Sequence, residues 1–325
     1  MKTRLTELMD IEYPIVSAPM SGHSGGDLAG AVSAGGGLGT FGAVFTGDTT
    51  AYLNDNIARA RAASNRGFGV GFITPYLDDH AEQLDVVFDA GVEVITLSFS
   101  DPRPWLGKIK AAGCKAICQV HNFELARIAV EEGADVIAVQ GSEAGGHSGG
   151  QSLLLALARA LDAFPDTPVI ASGGIADGRT LAAVLATGAD GAWIGTGFRA
   201  VTECREINQE ERAAILAADG TSTIRSRVTD IIKHKAQGGR AWPSDIANRT
   251  ARTPMVERWH GREDALQSAI EKNPSGFAET PAGEKAYLFS DATGFIQKEE
   301  TAADFMARIC SEATAHLRAA SVRAD

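Results

Sequence analysis

The sequence contains few cysteines, which excludes a scaffold held together by disulfides. Its 325 residues include only Cys114, Cys118, Cys204 and Cys310, far below the density of a disulfide framework. The C-x3-C spacing of the first two has no second pair to complete a tetrahedral zinc site. We therefore expect reduced cysteines, most of them buried.

The sequence also lacks an excess of basic residues and any long apolar run. Lys plus Arg total 30 against 41 Asp plus Glu, which gives a formal net charge of −11 at pH 7. This balance argues against a nucleic-acid partner and against docking on an anionic membrane. Apolar stretches are interrupted before the ~20 residues that a membrane span requires, and residues 1–10 are polar and charged. We expect a cytoplasmic protein.

Short apolar runs alternate with helical segments over the first two thirds of the chain. The runs predicted as strands are Ile15–Ala18, Leu38–Phe41, Phe68–Phe72, Glu93–Leu97, Lys115–Val120, Asp135–Val139, Pro168–Ala171 and Gly191–Ile194. Three of the intervening helices end on Gly91, Gly133 and Gly188, where a left-handed cap favours glycine. Eight such units predict a (β/α)8 barrel over residues 1–199, with a doubly wound open sheet as the rival architecture.

The pattern changes after Arg199. Residues 200–304 combine helical runs with polar, Pro- and Trp-containing stretches, and they show no strand periodicity. We predict that this segment is a smaller helical cap domain over one mouth of the barrel. Residues 305–325 are amphipathic and are predicted to form a helix that packs back on the barrel.

A G-x-G-x-x-G match over residues 37–42 is not interpreted as a dinucleotide fingerprint. That fingerprint needs a strand before the glycines, a helix after them and an acidic residue about 20 positions later. Here a helix precedes the glycines, a predicted strand runs through them, and the later positions are Arg61, Ala62 and Ala63. Flavin adenine dinucleotide is therefore not expected.

Glycines also follow the seventh and eighth predicted strands, in Ser172-Gly173-Gly174 and in Gly195-Thr196. In (β/α)8 barrels these two loops frequently bind a phosphate through backbone N–H groups and a helix N-terminus. Glycine allows the backbone to approach the phosphate oxygens closely, and the hydroxyls of Ser172 and Thr196 can donate hydrogen bonds to them. We predict a phosphate site, belonging to a substrate or to flavin mononucleotide, although the glycines could also serve tight turns only.

The loop after the sixth predicted strand, residues 141–150, contains five glycines, Glu143 and His147. Imidazole is the usual side chain for removing a proton from a carbon acid near neutral pH. The flanking glycines make a packed structural role poor, so we predict that His147 is catalytic. Glu143 is either a solvated loop acid or an orienting partner.

Several of these segments together resemble the nitronate monooxygenase family. They are Ala18-Pro19-Met20, the turn over residues 34–39, Gly67-Phe68-Gly69-Val70, Glu143–His147, and residues 171–175 and 194–198. The resemblance is close over residues 14–200 and loose beyond them. It implies a flavin mononucleotide (FMN) enzyme on a barrel with a helical cap.

The resemblance also implies roles for individual residues, with His147 as the catalytic base. The positions implied to contact FMN are Ala18, Pro19 and Met20 beside the isoalloxazine ring, Gln140 and Gly145 along the flavin, and Gly173, Gly174, Trp193, Ile194, Gly195 and Thr196 at the phosphate. Two further cofactor positions depart from the family. Gly71 stands where Asn is common, which removes an amide contact, and Gln119 stands where some relatives have Lys, which removes a cation near the flavin.

The implied reaction is the oxidation of alkyl nitronates, and of nitroalkanes, by O2 to a carbonyl compound and nitrite. NAD(P)H-dependent quinone and enoyl-thioester reductases share this scaffold, so a flavin reductase is the alternative. A non-catalytic barrel that binds a phosphorylated metabolite is a second alternative. The substrate is a small molecule for both the monooxygenase and the reductase. The sequence leaves open whether the protein forms a homodimer.

Overall fold

Eight parallel strands form a barrel in the part of the chain that the structure, a computed structural model, describes: residues 1–279 and 284–324. Strands are numbered along the chain, and the barrel consists of β1 (Ile15–Ser17), β2 (Thr40–Gly42), β3 (Gly69–Ile73), β4 (Val94–Ser98), β5 (Lys115–Val120), β6 (Val136–Gln140), β8 (Val169–Ser172) and β9 (Gly191–Ile194). Each overlaps one predicted strand. Their order is β1-β9-β8-β6-β5-β4-β3-β2.

The two edge strands of this sheet meet, and this contact closes the barrel. A parallel bridge joins Val16 to Leu38 just before β2. The N–H of Ser17 donates to the carbonyl of Leu38 at 3.0 Å, and the N–H of Leu38 donates to the carbonyl of Ile15 at 2.9 Å. The predicted (β/α)8 barrel is confirmed, and the open doubly wound sheet is excluded.

Side chains along the barrel strands alternate between two apolar clusters. Val16, Ile117 and Trp193 belong to a cluster inside the barrel, whereas their neighbours Ile15 and Cys118 belong to the larger cluster between strands and helices. Successive side chains of a strand point to opposite faces. Because both faces are buried, the strands have the continuous apolar sequences from which they were predicted.

Helices connect the strands and cover the outside of the barrel. They are α1 (Arg4–Met9), α2 (Gly26–Ala34), α3 (Thr49–Ala63), α4 (Thr74–Leu77), α5 (Glu82–Asp89), α6 (Arg103–Ala111), α7 (Phe123–Glu131), α8 (Leu153–Ala163), α9 (Gly178–Ala186) and α10 (Thr196–Arg199). The predicted cap glycines follow α5, α7 and α9, and Gly91, Gly133 and Gly188 have φ values of 66°, 85° and 103°. These are left-handed conformations that favour glycine.

A second, three-stranded antiparallel sheet lies outside the barrel. It contains β7 (Gly146–Ser148), β10 (Thr223–Ser226) and β11 (Ala247–Ala251), in the order β10-β11-β7. The expectation of no strands after Arg199 was therefore wrong. β10 and β11 have the sequences TIRS and ANRTA, which contain too few apolar residues for a periodic pattern to be visible. One of the two strands that pair with β11 is β7, which is distant in sequence.

The other regular elements described after Arg199 are helices, and they have their own apolar cluster. Its helices are α11 (Gln209–Ala217), α12 (Val228–Ala236), α13 (Pro254–Trp259) and α14 (Glu263–Lys272), with 3₁₀ turns at Pro274–Phe277 and Asp291–Phe295. Ile231, Val256 and Leu266 are buried together. α15 (Ala302–Ala324) packs against α9 and α2. The division at residues 199/200 and 304/305 stays a prediction, and residues 280–283 and 325 within it lie outside the described residues.

The four cysteines are free and buried, as expected. Over the described residues, every helix falls short of the length or the apolar character that crossing a bilayer demands.

Backbone packing of α2 on the start of β2 gives a prediction about stability. A Cβ at Gly39 would lie 1.7 Å from the carbonyl oxygen of Ala29, so Gly39→Ala must displace a helix and should cost about 3 kcal/mol. Gly107, in α6, has nothing within 4 Å of an added Cβ, so Gly107→Ala should instead stabilise by about 0.5–1 kcal/mol. Urea unfolding of both variants measures this, and equal midpoints would contradict it.

Candidate active site

One cavity of about 560 Å³ lies at the carboxyl ends of the barrel strands. Loops that follow the strands form its walls, and α12 with residues 239–242 contributes to its outer side. Its volume is typical of a site for a small molecule or cofactor. Active sites of (β/α)8 enzymes lie at this end of the barrel, so we take this cavity as the candidate site.

The structure brings together all but one of the residues predicted to form the site. Those that line the cavity are Ala18, Pro19, Met20, Gln119, Gln140, Gly145, His147, Ser172, Gly173, Gly174, Trp193, Ile194, Gly195 and Thr196. They come from the ends of five barrel strands, β1, β5, β6, β8 and β9, which the barrel closure places around one mouth.

Gly71 is the exception, because it lies behind Pro19 and does not line the cavity. A Cβ at this position would lie 2.4 Å from the Cβ of Pro19 and 2.5 Å from the hydroxyl oxygen of Thr96. No side chain fits there without displacing the loop after β1. The close packing explains why glycine occupies this position, and the contact of Gly71 with the cofactor stays a prediction.

The loops after β8 and β9 form a glycine-lined corner of the cavity. Gly173 and Gly174 have φ values of 110° and 71°, a conformation open to glycine and strained for other residues. An added Cβ at Gly195 would have Met20 and Ala18 as its nearest neighbours, at 3.5 and 3.6 Å, so space remains there. The hydroxyl of Thr196 accepts the N–H of Ser290 at 3.0 Å and keeps its own proton for donation.

Gln140, at the end of β6, presents an unpaired acceptor at the cavity. Its side-chain Nε2 donates to the carbonyl of His147 at 3.0 Å. The other side-chain atom, Oε1, is buried and has no hydrogen-bond partner within residues 1–279 and 284–324. A buried polar atom without a partner is costly, so this oxygen is suited to accept an N–H from a bound ring.

His147 lies on β7 and forms a close pair with Asp230 of α12. The distance from His147 Nε2 to Asp230 Oδ1 is 2.9 Å, and the two side chains are only 16% and 7% exposed. A carboxylate can only accept this hydrogen bond, so Nε2 carries the proton and Nδ1 has the free lone pair. Among the described residues, no group hydrogen-bonds Nδ1. The pair therefore presents an oriented imidazole base.

Trp242 covers one face of the His147 ring. The two ring centroids are 3.6 Å apart and the planes are inclined by 16°. Phe99 meets Trp242 edge-on at 5.2 Å, and it does so with a left-handed backbone, φ 77°. Such a conformation is unfavourable for a bulky residue and persists only where the surroundings impose it.

Glu143 does not face the cavity. Its carboxylate accepts the backbone N–H of Leu153, the first residue of α8, at 3.1 and 3.2 Å. An acid at a helix N-terminus satisfies a free donor and interacts favourably with the helix dipole. The sequence left open whether Glu143 is a solvated loop acid or an orienting partner. The geometry favours a different role, in which Glu143 fixes the loop that carries His147.

His23, from the loop after β1, also lines the cavity, whereas His121 does not. Burial lowers the pKa of His23 to about 4, with a further contribution from the cations Arg199, Lys233 and Lys285. Its Nδ1 lies 3.4 Å from a guanidinium nitrogen of Arg199, which forms a buried ion pair with Glu211. His23 is therefore neutral near pH 7, and it lines this end of the cavity as an uncharged polar group.

The functional side chains that the sequence did not reveal are Asp230, Trp242 and Phe99. Asp230 is 83 residues from His147 and lies on a helix without a motif around it. Trp242 stood out only as part of a Pro- and Trp-containing stretch, and Phe99 lies two residues after the predicted strand Glu93–Leu97. Asp230 and Lys233 are three residues apart on one helix face and both line the cavity, but this spacing is common on helix surfaces and does not single out Asp230.

The family described as nitronate monooxygenase matches the chain over residues 2–82 and 76–312. A probable nitronate monooxygenase from Staphylococcus aureus (strain Newman) is 31% identical over 285 residues, which span 74% of this chain and 77% of that protein. A (3aS,4S,5R,7aS)-5-hydroxy-7a-methyl-1-oxo-octahydro-1H-indene-4-carboxyl-CoA dehydrogenase from Rhodococcus jostii (strain RHA1) is 32% identical over 237 residues, 72% of this chain. The match spans only 65% of that relative's length.

Two solved structures are similar to the whole fold. FabK from Thermotoga maritima superposes with a TM-score of 0.83 and 26% identity, covering 99% of each chain. The nitroalkane oxidase from Streptomyces ansochromogenes has a TM-score of 0.77 and 25% identity, covering 97% of this chain and 99% of that one.

The His147–Asp230 pair predicts which ring nitrogen carries the proton. With the carboxylate in place, neutral His147 should be the Nε2–H tautomer. Asp230→Asn replaces a group that can only accept with an amide that can also donate, so the fraction of the Nδ1–H form should rise. Ring ¹⁵N chemical shifts report the tautomer, and Asp245→Asn, next to His121 at 3.5 Å, is the control that should leave His147 unchanged. A neutral His147 in the Nδ1–H form in the wild type would contradict the pairing.

Proposed function

Because the chain belongs to the nitronate monooxygenase family, we propose that it oxidises alkyl nitronates by O2 to a carbonyl compound and nitrite, using FMN. Membership makes the chain an oxidoreductase. Neutral nitroalkanes are also substrates in this proposal, after loss of the α-proton. Small-molecule substrates of this kind suit an interior cavity lined by apolar side chains and a few polar groups.

The observation that carries the proposal is the His147–Asp230 pair at the cavity wall. In a nitroalkane the C–H bond breaks, its proton passes to Nδ1 of His147, and the electron pair moves onto the nitro group to give the nitronate. The imidazolium that forms is stabilised by the adjacent Asp230 carboxylate. A general base of this kind contributes about 10²–10⁴-fold to the rate. A nitronate supplied as such needs no base.

The cavity fits FMN in three respects. The corner of Ser172, Gly173, Gly174, Gly195 and Thr196 has the glycine conformations and hydroxyl donors that a phosphate requires. The unpaired Oε1 of Gln140 suits a ring N–H of the flavin. Ala18, Pro19 and Met20 supply a backbone edge beside the ring, and Gln119, Gly145, Trp193 and Ile194 complete the walls.

When bound, FMN supplies an acceptor for electrons from the nitronate that dioxygen can reoxidise. A mononucleotide is favoured over flavin adenine dinucleotide because the glycines of residues 37–42 are not a dinucleotide fingerprint. In the structure they follow α2 and enter β2, and Gly39 is needed for helix packing.

A NAD(P)H-dependent flavin reductase is the second candidate function. The relatives include a carboxyl-CoA dehydrogenase and FabK, and Lys233 at the cavity wall has no ion-pair partner in the described part of the chain. A free cation there suits a phosphate of a nicotinamide or thioester substrate. This function predicts that anaerobic NADH reduces the bound flavin rapidly and that nitronate does not.

His147→Ala distinguishes the base from a binding role. Activity on nitroethane should fall by about 10²–10⁴-fold, while activity on ethyl nitronate should be retained to a much larger extent, because only the first substrate must lose a proton. Nitrite release measures both reactions.

His260→Ala is the control, since His260 is exposed and distant from the cavity lining. Equal losses on both substrates with the flavin still bound would remove the assignment of His147 as the base.

A further inference from the structure

The segment between α12 and β11, residues 237–245, crosses the outer side of the cavity; we call it the strap. Gly239, Arg240 and Trp242 of the strap line the cavity. Both ends are fixed by hydrogen bonds. The N–H of Gly239 donates to the carbonyl of Lys233 at 2.9 Å, and Arg225 donates to the carbonyl of Asp245 at 3.3 Å.

The middle of the strap is held across the cavity by Arg240. Its Nη1 lies 3.2 Å from Oδ2 of Asp79, and its guanidinium lies over the ring of Tyr76, 5.2 Å from the centroid. The side chains of the ion pair are 40% and 73% exposed. Exposed ion pairs and exposed cation–π contacts are weak. Arg240 thus contributes only a weak attachment to the middle of the strap.

Trp242 lies on the inner side of the strap and belongs to an aromatic wall. It stacks on His147 and meets Phe99 edge-on. Farther along the cavity, Phe45 stacks on Tyr76 with centroids 4.7 Å apart, and both rings line the cavity. An alkyl chain that runs from an α-carbon at His147 along this side of the cavity contacts the aromatic wall.

We propose that Trp242 sets the length of alkyl chain that the site accepts, and that the Arg240–Asp79 contact keeps the strap closed. The cavity must hold the cofactor together with the substrate, so little space remains beside His147. In the closed arrangement, short alkyl nitronates fit against Trp242. Longer chains require the strap to open. The identity of the substrate rests on the function proposed above, whereas the gating by the strap does not.

Limited proteolysis tests, without any substrate, whether the Arg240–Asp79 contact holds the strap in place. Arg240 and Ala241 are exposed, but trypsin must bind an extended segment around the cleaved bond, and Trp242 holds that segment against His147. The cleavage rate after Arg240 should therefore rise with the population in which the strap has left the cavity. Asp79→Ala should increase cleavage at the Arg240–Ala241 bond about two- to fivefold, as expected for loss of one exposed ion pair. Asp78→Ala is the matched control, because Asp78 is the exposed neighbour and forms no ion pair within the described residues. Mass spectrometry identifies the bond cleaved.

Chain-length selectivity tests the role of Trp242. The ratio of kcat/KM for hexyl nitronate to that for ethyl nitronate should rise about tenfold in Trp242→Ala, because removing a steric limit of a few carbon atoms changes discrimination by that order. Trp242→Phe keeps an aromatic ring on His147, so its ratio should rise less. This second variant also keeps the test valid if the alanine variant does not fold.

The outcomes separate the gate from the reaction. Equal cleavage of Asp79→Ala and Asp78→Ala would overturn the role of the Arg240–Asp79 contact, and an unchanged ratio in both Trp242 variants would overturn the size limit. If the wild type does not turn over any nitronate, the proposed function fails. Cleavage at the Arg240–Ala241 bond still tests whether the Arg240–Asp79 contact keeps the strap closed.

Discussion

The antiparallel pairing of β7 with β11 is the contact on which the candidate active site depends. In its register His147 faces Asn248, so a residue of a glycine-rich loop gains the fixed backbone of a strand. β11 also pairs with β10, which leads directly into α12 and Asp230. One small sheet therefore positions the base and, through the following helix, the carboxylate that orients it. Without this sheet, the barrel would offer only a histidine on a flexible loop.

The barrel and the segment that follows it make different contributions to the cavity. The barrel supplies rigid walls, because its strands are buried on both faces and close through the Val16–Leu38 bridge, and it supplies the glycine-lined corner suited to a phosphate. The later segment supplies Asp230 and the strap with Trp242. The proposed chemistry occurs where these contributions meet, at His147. This division explains how relatives with different reactions share the scaffold: a cofactor corner can be retained while the covering side changes.

The parts predicted from the sequence are those with a local physical signal. Buried parallel strands have continuous apolar sequences, and glycines mark helix ends and close backbone approach, so the barrel, its cap glycines and the cavity-lining loops could be predicted. β10 and β11 are polar and stabilised by pairing, so no period indicates them. Asp230 could not be assigned because its role depends on a contact 83 residues away. The tight packing of Gly71 against Pro19 could not be predicted either, because a resemblance carries no information on that contact.

The central claim is that His147 removes the α-proton of a nitroalkane before oxidation, and a deuterium isotope effect tests it most directly. Nitrite release by the wild-type enzyme should be compared for nitroethane deuterated and undeuterated at the α-carbon, and then for the corresponding ethyl nitronates. If His147 removes this proton, kcat/KM should show a primary isotope effect with nitroethane and no primary effect with ethyl nitronate, which has already lost the α-proton that the base removes. Absence of the effect with nitroethane, or an equal effect with both substrates, would contradict it.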